Sequence, residues 1–140
     1  MSLKTWKAEF YPVSARFLVR TGGTMSELVE HSLHKWVGLL PENLNKHAVK
    51  VRAGCVHDSA DVLELGSDSC ALCVVYFDPS VRGRCQKCPL SEARGGIPCD
   101  SMTAAEEADR GVSPWCAFTL AGDPEPMIFW LRHTQELLKA

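Results

Sequence analysis

Cys70-Ala71-Leu72-Cys73 and Cys85-Gln86-Lys87-Cys88 are two C-x-x-C pairs with residues 74–84 between them, and Cys99 follows in Gly95-Gly96-Ile97-Pro98-Cys99-Asp100. Five of the chain's seven cysteines therefore fall between positions 70 and 99. A thiol that is not packed, bridged or ligated is a reactive liability. Two thiolate pairs at i, i+3, joined by a short reversal, place four sulfurs around one point, as a tetrahedral zinc ion requires. Residues 67–101 are accordingly read as a cysteine-rich, metal-binding insert. The candidate ligands are four of Cys70, Cys73, Cys85, Cys88 and Cys99, with Cys99 contesting the place of Cys85 or Cys88. Zn2+ is the expected ion. Iron, in a rubredoxin-like or clustered site, is the lesser option.

Inside the insert, Val74-Val75-Tyr76-Phe77 predicts a strand and Asp78-Pro79-Ser80 a turn, so that residues 74–84 form a hairpin. Pro89, the helix-prone run Leu90–Arg94 and the stop Gly95-Gly96 place the second pair at the start of a short helix. A knuckle, a hairpin and a pair at a helix start resemble a treble-clef or zinc-ribbon-like zinc finger over residues 70–95. The pattern departs from it at Val74 and Pro89, which stand where such knuckles carry glycine. Four thiolates close the tetrahedron and leave no open position, which makes the expected site structural rather than catalytic. The competing reading is a C-x-x-C pair that shuttles between dithiol and disulfide.

The rest of the chain is read as one α+β domain spanning residues 1–140. It has an α/β part over 1–66, the insert, and a C-terminal segment over 102–140 whose last helix packs back on the core. With 140 residues, 46% of them hydrophobic, the chain is long enough to bury a core. The expected scaffold is a short antiparallel sheet with two main helices. Strands are predicted at Trp6–Tyr11, Ala15–Arg20, Ala48–Ala53 and Asp61–Leu65. Thr24 and Glu27 have capping-box spacing ahead of a helix over 25–39, with Met25, Leu28, Val29, Ser32, Leu33, Trp36 and Leu40 on one stripe. Pro41 opens a short second helix, and Thr103–Asp109 is helix-prone. A C-terminal helix over 126–138 carries Met127, Trp130, Leu131, Thr134, Leu137 and Leu138 on one face, with Phe129 off it.

Charge and motif content narrow the function. The formal charge of −2 excludes a globally basic nucleic-acid binder, though not a local patch. Such a patch is present at Arg82, Arg84, Lys87 and Arg94, beside Tyr76 and Phe77, and suits nucleic-acid contact. The same cations also suit neutralising an anionic tetrathiolate centre. Lys4, Lys7, Glu9, Arg16 and Arg20 break the first twenty residues, so no secretory leader is expected. No apolar run reaches membrane-spanning length. A cytoplasmic, reducing location follows as the expectation, and there paired cysteines read as metal or redox sites. His31 and His34, with Glu27 and Glu30, are weaker ligand or acid–base candidates, and Cys55 with His57 a weak nucleophile–base pair. Cys116 is read as a core thiol, with an extra metal ligand as the alternative. No Walker loop, GxGxxG, GxSxG or HExxH motif is present.

As a whole the chain resembles small uncharacterised cysteine-rich proteins of phage and bacterial genomes. The residues that carry this are His31-Ser32-Leu33-His34-Lys35-Trp36, both C-x-x-C pairs with Pro89-Leu90, and Asp123-Pro124-Glu125-Pro126-Met127. The resemblance implies cytoplasmic residence and a mobile-element origin, and brings no activity with it. The sequence thus points to a small zinc-binding protein acting as a non-enzymatic binding or adaptor module with a protein partner. A thiol-redox or metal-dependent enzyme is one alternative and a nucleic-acid-binding zinc-finger protein the other. Any chemistry is expected around His31, His34 and His57 before the closed metal site.

Overall fold

Ser2 and Thr5 cap each other at the N-terminus: the Thr5 N–H donates to Ser2 Oγ at 3.3 Å and the Ser2 N–H to Thr5 Oγ1 at 2.9 Å. This reciprocal box starts helix α1 (Leu3–Phe10) in the computed structural model, which describes residues 2–77, 84–109 and 111–140. Ser14 caps α2 (Ala15–Arg20) with a single bond, its Oγ accepting from the Phe17 N–H at 3.1 Å. Both segments are helices and not the strands that alternation suggests. Leu3, Trp6 and Phe10 recur at helical spacing and are all buried. That period, together with the two serine caps, outweighs the local β-propensity.

α3 (Met25–Val37) is the central element, with α1, α2 and two later helices, α5 (Ala71–Tyr76) and α9 (Glu125–Lys139), packed against it. Its capping box forms as expected, the Thr24 N–H donating to Glu27 Oε1 at 2.9 Å and the Glu27 N–H to Thr24 Oγ1 at 3.2 Å. The helix ends at Val37, and Gly38 just beyond it lies against Phe10 of α1. There Trp6 is fully buried and its Nε1–H donates to the Gly38 carbonyl at 2.8 Å. A fully buried side chain of this kind stabilises the fold by roughly 1.5–3 kcal/mol. Pro41 opens α4 (Pro41–Lys46).

A small antiparallel sheet follows in the order β1 (Lys50–Arg52), β2 (Cys55–His57), β3 (Val62–Glu64). Ala53 and Gly54 join β1 to β2 with φ of 52° and 76°, the two left-handed residues of a tight hairpin. Val56, fully buried, faces Val51 and Leu63 across the ladder. Helices with one short antiparallel sheet make the chain an α+β fold.

The second half is helical where it was expected to be extended. α5 (Ala71–Tyr76) takes the place of the strand predicted at 74–77, with the Val74 N–H on the Cys70 carbonyl at 2.9 Å and the Phe77 N–H on that of Cys73 at 2.8 Å. Ala71 and Leu72 are buried against the core, and that packing overrides the β-preference of the paired valines. The turn expected at 78–80 and the return of the hairpin to residue 83 lie outside the described residues. Pro89 opens α6 (Pro89–Ala93), after a 3-10 turn over Arg84–Lys87. α7 (Ala104–Asp109) and α8 (Pro114–Ala121) lead to α9 (Glu125–Lys139), which packs on α3 and α6. Met127, Leu131 and Thr134 of the expected α9 stripe are buried and Trp130 is half-buried. Leu137 and Leu138 instead stay exposed, because the helix runs past the edge of the core.

Candidate functional site

Cys70 ends a 3-10 turn (Ser67–Ser69) and caps α5, while Cys73 sits one turn into that helix. Cys85 lies in the 3-10 turn ahead of α6, Cys88 caps α6, and Cys99 lies in the loop before α7. These five cysteines, supplied by three separate segments, line one cavity of about 260 Å³. Cys55 on β2 and Cys116 on α8 are not part of its wall. No disulfide joins any of the seven. Among the described residues no three histidine, cysteine, aspartate or glutamate side chains stand at metal-ligating separation. The thiols thus surround a common space and are not gathered on a preset point.

The far wall of the cavity comes from α3. Lys35 is completely buried there. Its Nζ donates to the Ser69 carbonyl at 3.1 Å and to Ser69 Oγ at 3.3 Å, and stands over the Trp36 ring at 5.6 Å. No carboxylate pairs with it among the described residues. The ionisable groups that share the cavity wall with it include the thiols of Cys70, Cys73 and Cys99. One turn earlier on the same helix, Ser32 Oγ lies 3.5 Å from Cys70 Sγ.

This setting divides the thiols. A hydrogen bond from Cys73 holds Cys70 well below the ordinary cysteine range despite its burial, and the charge of Lys35 and the Ser32 hydroxyl act in the same direction. Cys73, as the donor in that bond and itself buried, is pushed up. Burial pushes Cys88 and Cys99 up to about 12 each, and raises Cys85 as well. Cys85 is the least enclosed of the five.

Compared with protein families, with curated proteins and with solved structures, the chain matches none. Its chemistry has to be read from its own side chains.

Two members of the expected basic patch, Lys87 and Arg94, have described side chains. Arg82 lies outside the described residues, as does the side chain of Arg84, and Lys87 is exposed. Arg94 is buried and spent inside the protein. Its Nη1 donates to Glu106 Oε2 at 2.7 Å, its Nη2 to Glu106 Oε1 at 3.0 Å, and its Nε to the Ile97 carbonyl at 3.1 Å. It is therefore not available to a phosphate.

His31 and His34 line a second, more open groove of about 500 Å³ together with Glu27 and Glu30. His31 Nε2 donates to the Val13 carbonyl at 2.7 Å, so the Nδ1 of the neutral ring is the unprotonated nitrogen, and it is buried without a partner. Burial lowers the pKa of this ring. His57 sits on β2 opposite Lys50 and Val62 and does not line the groove.

Lys35 is the residue that motif reading misses. It belongs with the charged side chains off the apolar stripe, yet Leu28, Ser32, Lys35 and Leu39 follow one another at i, i+4, i+7 and i+11 and are all buried. The helix is covered on two sides, so its buried arc is wider than a single stripe. That spacing was the available signal.

Proposed function

We propose that this chain is a metal–thiolate protein in which Cys70, Cys73, Cys88 and Cys99 hold a zinc ion, with Cys85 at the rim of the site. The observation that carries this reading is the convergence of five cysteines, from three separate segments, on one cavity whose wall contains a buried ammonium group. Soft thiolates select zinc, and iron is the lesser occupant. Four sulfurs complete a tetrahedron, so the ion serves as a clip that ties the segments carrying Cys70–Cys73, Cys88 and Cys99 to α3. On this reading the chain acts in the cytoplasm as a non-enzymatic binding or adaptor module. Leu120 and Phe129, the most exposed large apolar side chains at 77% and 62%, favour a protein partner over nucleic acid. No helix among the described residues is long and apolar enough to cross a membrane.

Elemental analysis of the purified protein, with thiol titration before and after chelation, tests this. Stoichiometric zinc, with the four ligand thiols shielded until chelation, is the expected result. Seven freely titrating thiols and no metal would sink it.

One observation favours a second reading. The Cys70 thiolate is stabilised by Cys73, Lys35 and Ser32 together, as a thiol that attacks disulfides requires. That reading expects metal-free protein with a reversible Cys70–Cys73 disulfide, which the same titration after mild oxidation reveals as a loss of two thiols.

A further inference from the structure

We infer that Lys35 is the counter-cation of the thiolate centre, so that filling the cavity with a metal tetrathiolate and burying this lysine are two halves of one device. The inference rests on the metal–thiolate reading above.

An ammonium group removed from water needs a compensating charge, and lysine is almost never fully buried unless paired. Lys35 is fully buried. Its hydrogen bonds go to Ser69, whose carbonyl and hydroxyl are neutral and satisfy two of its three protons. The groups around it able to carry negative charge are Cys70, Cys73 and Cys99, three of the four proposed ligands. A divalent ion on four thiolates carries a net charge of −2, and burying it without a cation is more unfavourable still than burying the lysine alone. Placed together, the ammonium gains its partner and the net charge of the centre is halved.

Ser69 fixes the geometry. It immediately precedes Cys70, so the residue that holds the ammonium also sets the start of α5 and the position of the first ligand. The Ser32 hydroxyl beside Cys70 comes from the same face of α3 as Lys35. Helix α3 therefore supplies the outer shell of the site: a hydroxyl for one sulfur and a charge for the whole group. Losing such outer partners typically weakens metal binding by 10–100-fold.

A lysine that only fills space and one that balances a charged centre respond differently to Lys35→Met. Zinc affinity is measured by competition with a chromophoric chelator, and thermal unfolding is followed with and without zinc, for the full chain and for K35M. The expected result differs between the two forms. K35M binds zinc roughly 10–100-fold more weakly, and the substitution lowers the melting temperature of the zinc-bound form by more than that of the metal-free form. Equal affinities, or a loss of stability that is the same in both forms, would overturn the inference while leaving the zinc reading intact. Parent protein that binds no zinc overturns the zinc reading itself, and the inference with it. Should K35M fail to fold, the ε-methylene NMR signal of Lys35 in the parent protein decides. It must shift on zinc addition well beyond the signals of the exposed lysines, and an unmoved signal overturns the inference.

Discussion

Arg94 and Glu106 form a two-pronged ion pair, with Nη1–Oε2 at 2.7 Å, Nη2–Oε1 at 3.0 Å and no solvent exposure of the arginine side chain. The pair does more than join α6 to α7. Arg94 also binds the carbonyls of Ile97, Pro98 and Ser101, so it braces the loop from which Cys99 enters the cavity. Trp130 of α9 donates to the same carboxylate at 2.9 Å and stacks on the guanidinium at 5.2 Å from the ring centre. Glu106→Ala strands a buried cation and is expected to cost about 3–5 kcal/mol in urea unfolding. Asp68→Ala, which breaks the exposed Arg16–Asp68 pair, is expected to cost less than about 1 kcal/mol. Equal effects of the two substitutions would contradict this account.

Stability should fall with acid in two stages. Burial holds the His31 ring below its ordinary 6.5, so the unfolded chain takes up that proton first, and stability is lost as pH drops from about 6.5 through the folded value. The second stage belongs to carboxylates. Burial pushes Glu106 up, but hydrogen bonds from Arg94, the Thr103 N–H and Trp130 outweigh it and bring the carboxyl below its ordinary 4.5. Asp58 is lowered from 3.8 by the N–H groups of Leu3, Ala60 and Asp61. Their contribution is complete above the unfolded values and disappears as pH falls through the folded ones. Melting temperature against pH should therefore slope gently below about 6.5 and steeply below about 4, and His31→Phe should remove only the gentle slope.

Gly38 is a contact glycine and not a conformational one, since its φ is −61°. A Cβ built there would lie 2.5 Å from Phe10 Cγ and 2.7 Å from Phe10 Cβ. Gly38→Ala must push α1 off the end of α3 and strain the Trp6 hydrogen bond, at an expected cost of about 1–3 kcal/mol. Gly66→Ala, where a Cβ meets nothing within 4 Å, is the control and should be near neutral in the same denaturation experiment.

The choice of ligands is also open to test. Cys85→Ser should leave zinc content unchanged, because Cys85 is the least enclosed of the five thiols. Cys73→Ser or Cys99→Ser should lower it several-fold. Loss of zinc from C85S on the same scale would move Cys85 into the ligand set and displace Cys99 from it.

Much of this was legible beforehand. The helix over Met25–Val37, with its Thr24–Glu27 cap, is written in local spacing, and so is the short helix behind Pro89. The outer strands of the small sheet are visible as alternation over 48–53 and 61–65, whereas the middle strand, Cys55–His57, is not. The first two helices and α5 depart from the strands that local pattern predicts, for one reason. Short segments rich in aromatic and β-branched residues satisfy both periods over six or eight positions, and what decides between them is the surface each one meets.

Local spacing is enough to show that five cysteines are close along the chain, which of them form i, i+3 pairs, and where Pro89 starts a helix. These are matters of spacing and local backbone preference, which no distant contact alters. Tertiary structure alone decided that Arg94 is spent on Glu106, that Cys99 joins the wall of the cavity while Cys55 and Cys116 do not, and that Lys35 stands buried among the thiols. The reason is that burial belongs to the whole chain. A lysine on α3 is a surface residue until α5 and its cysteines are laid against that helix.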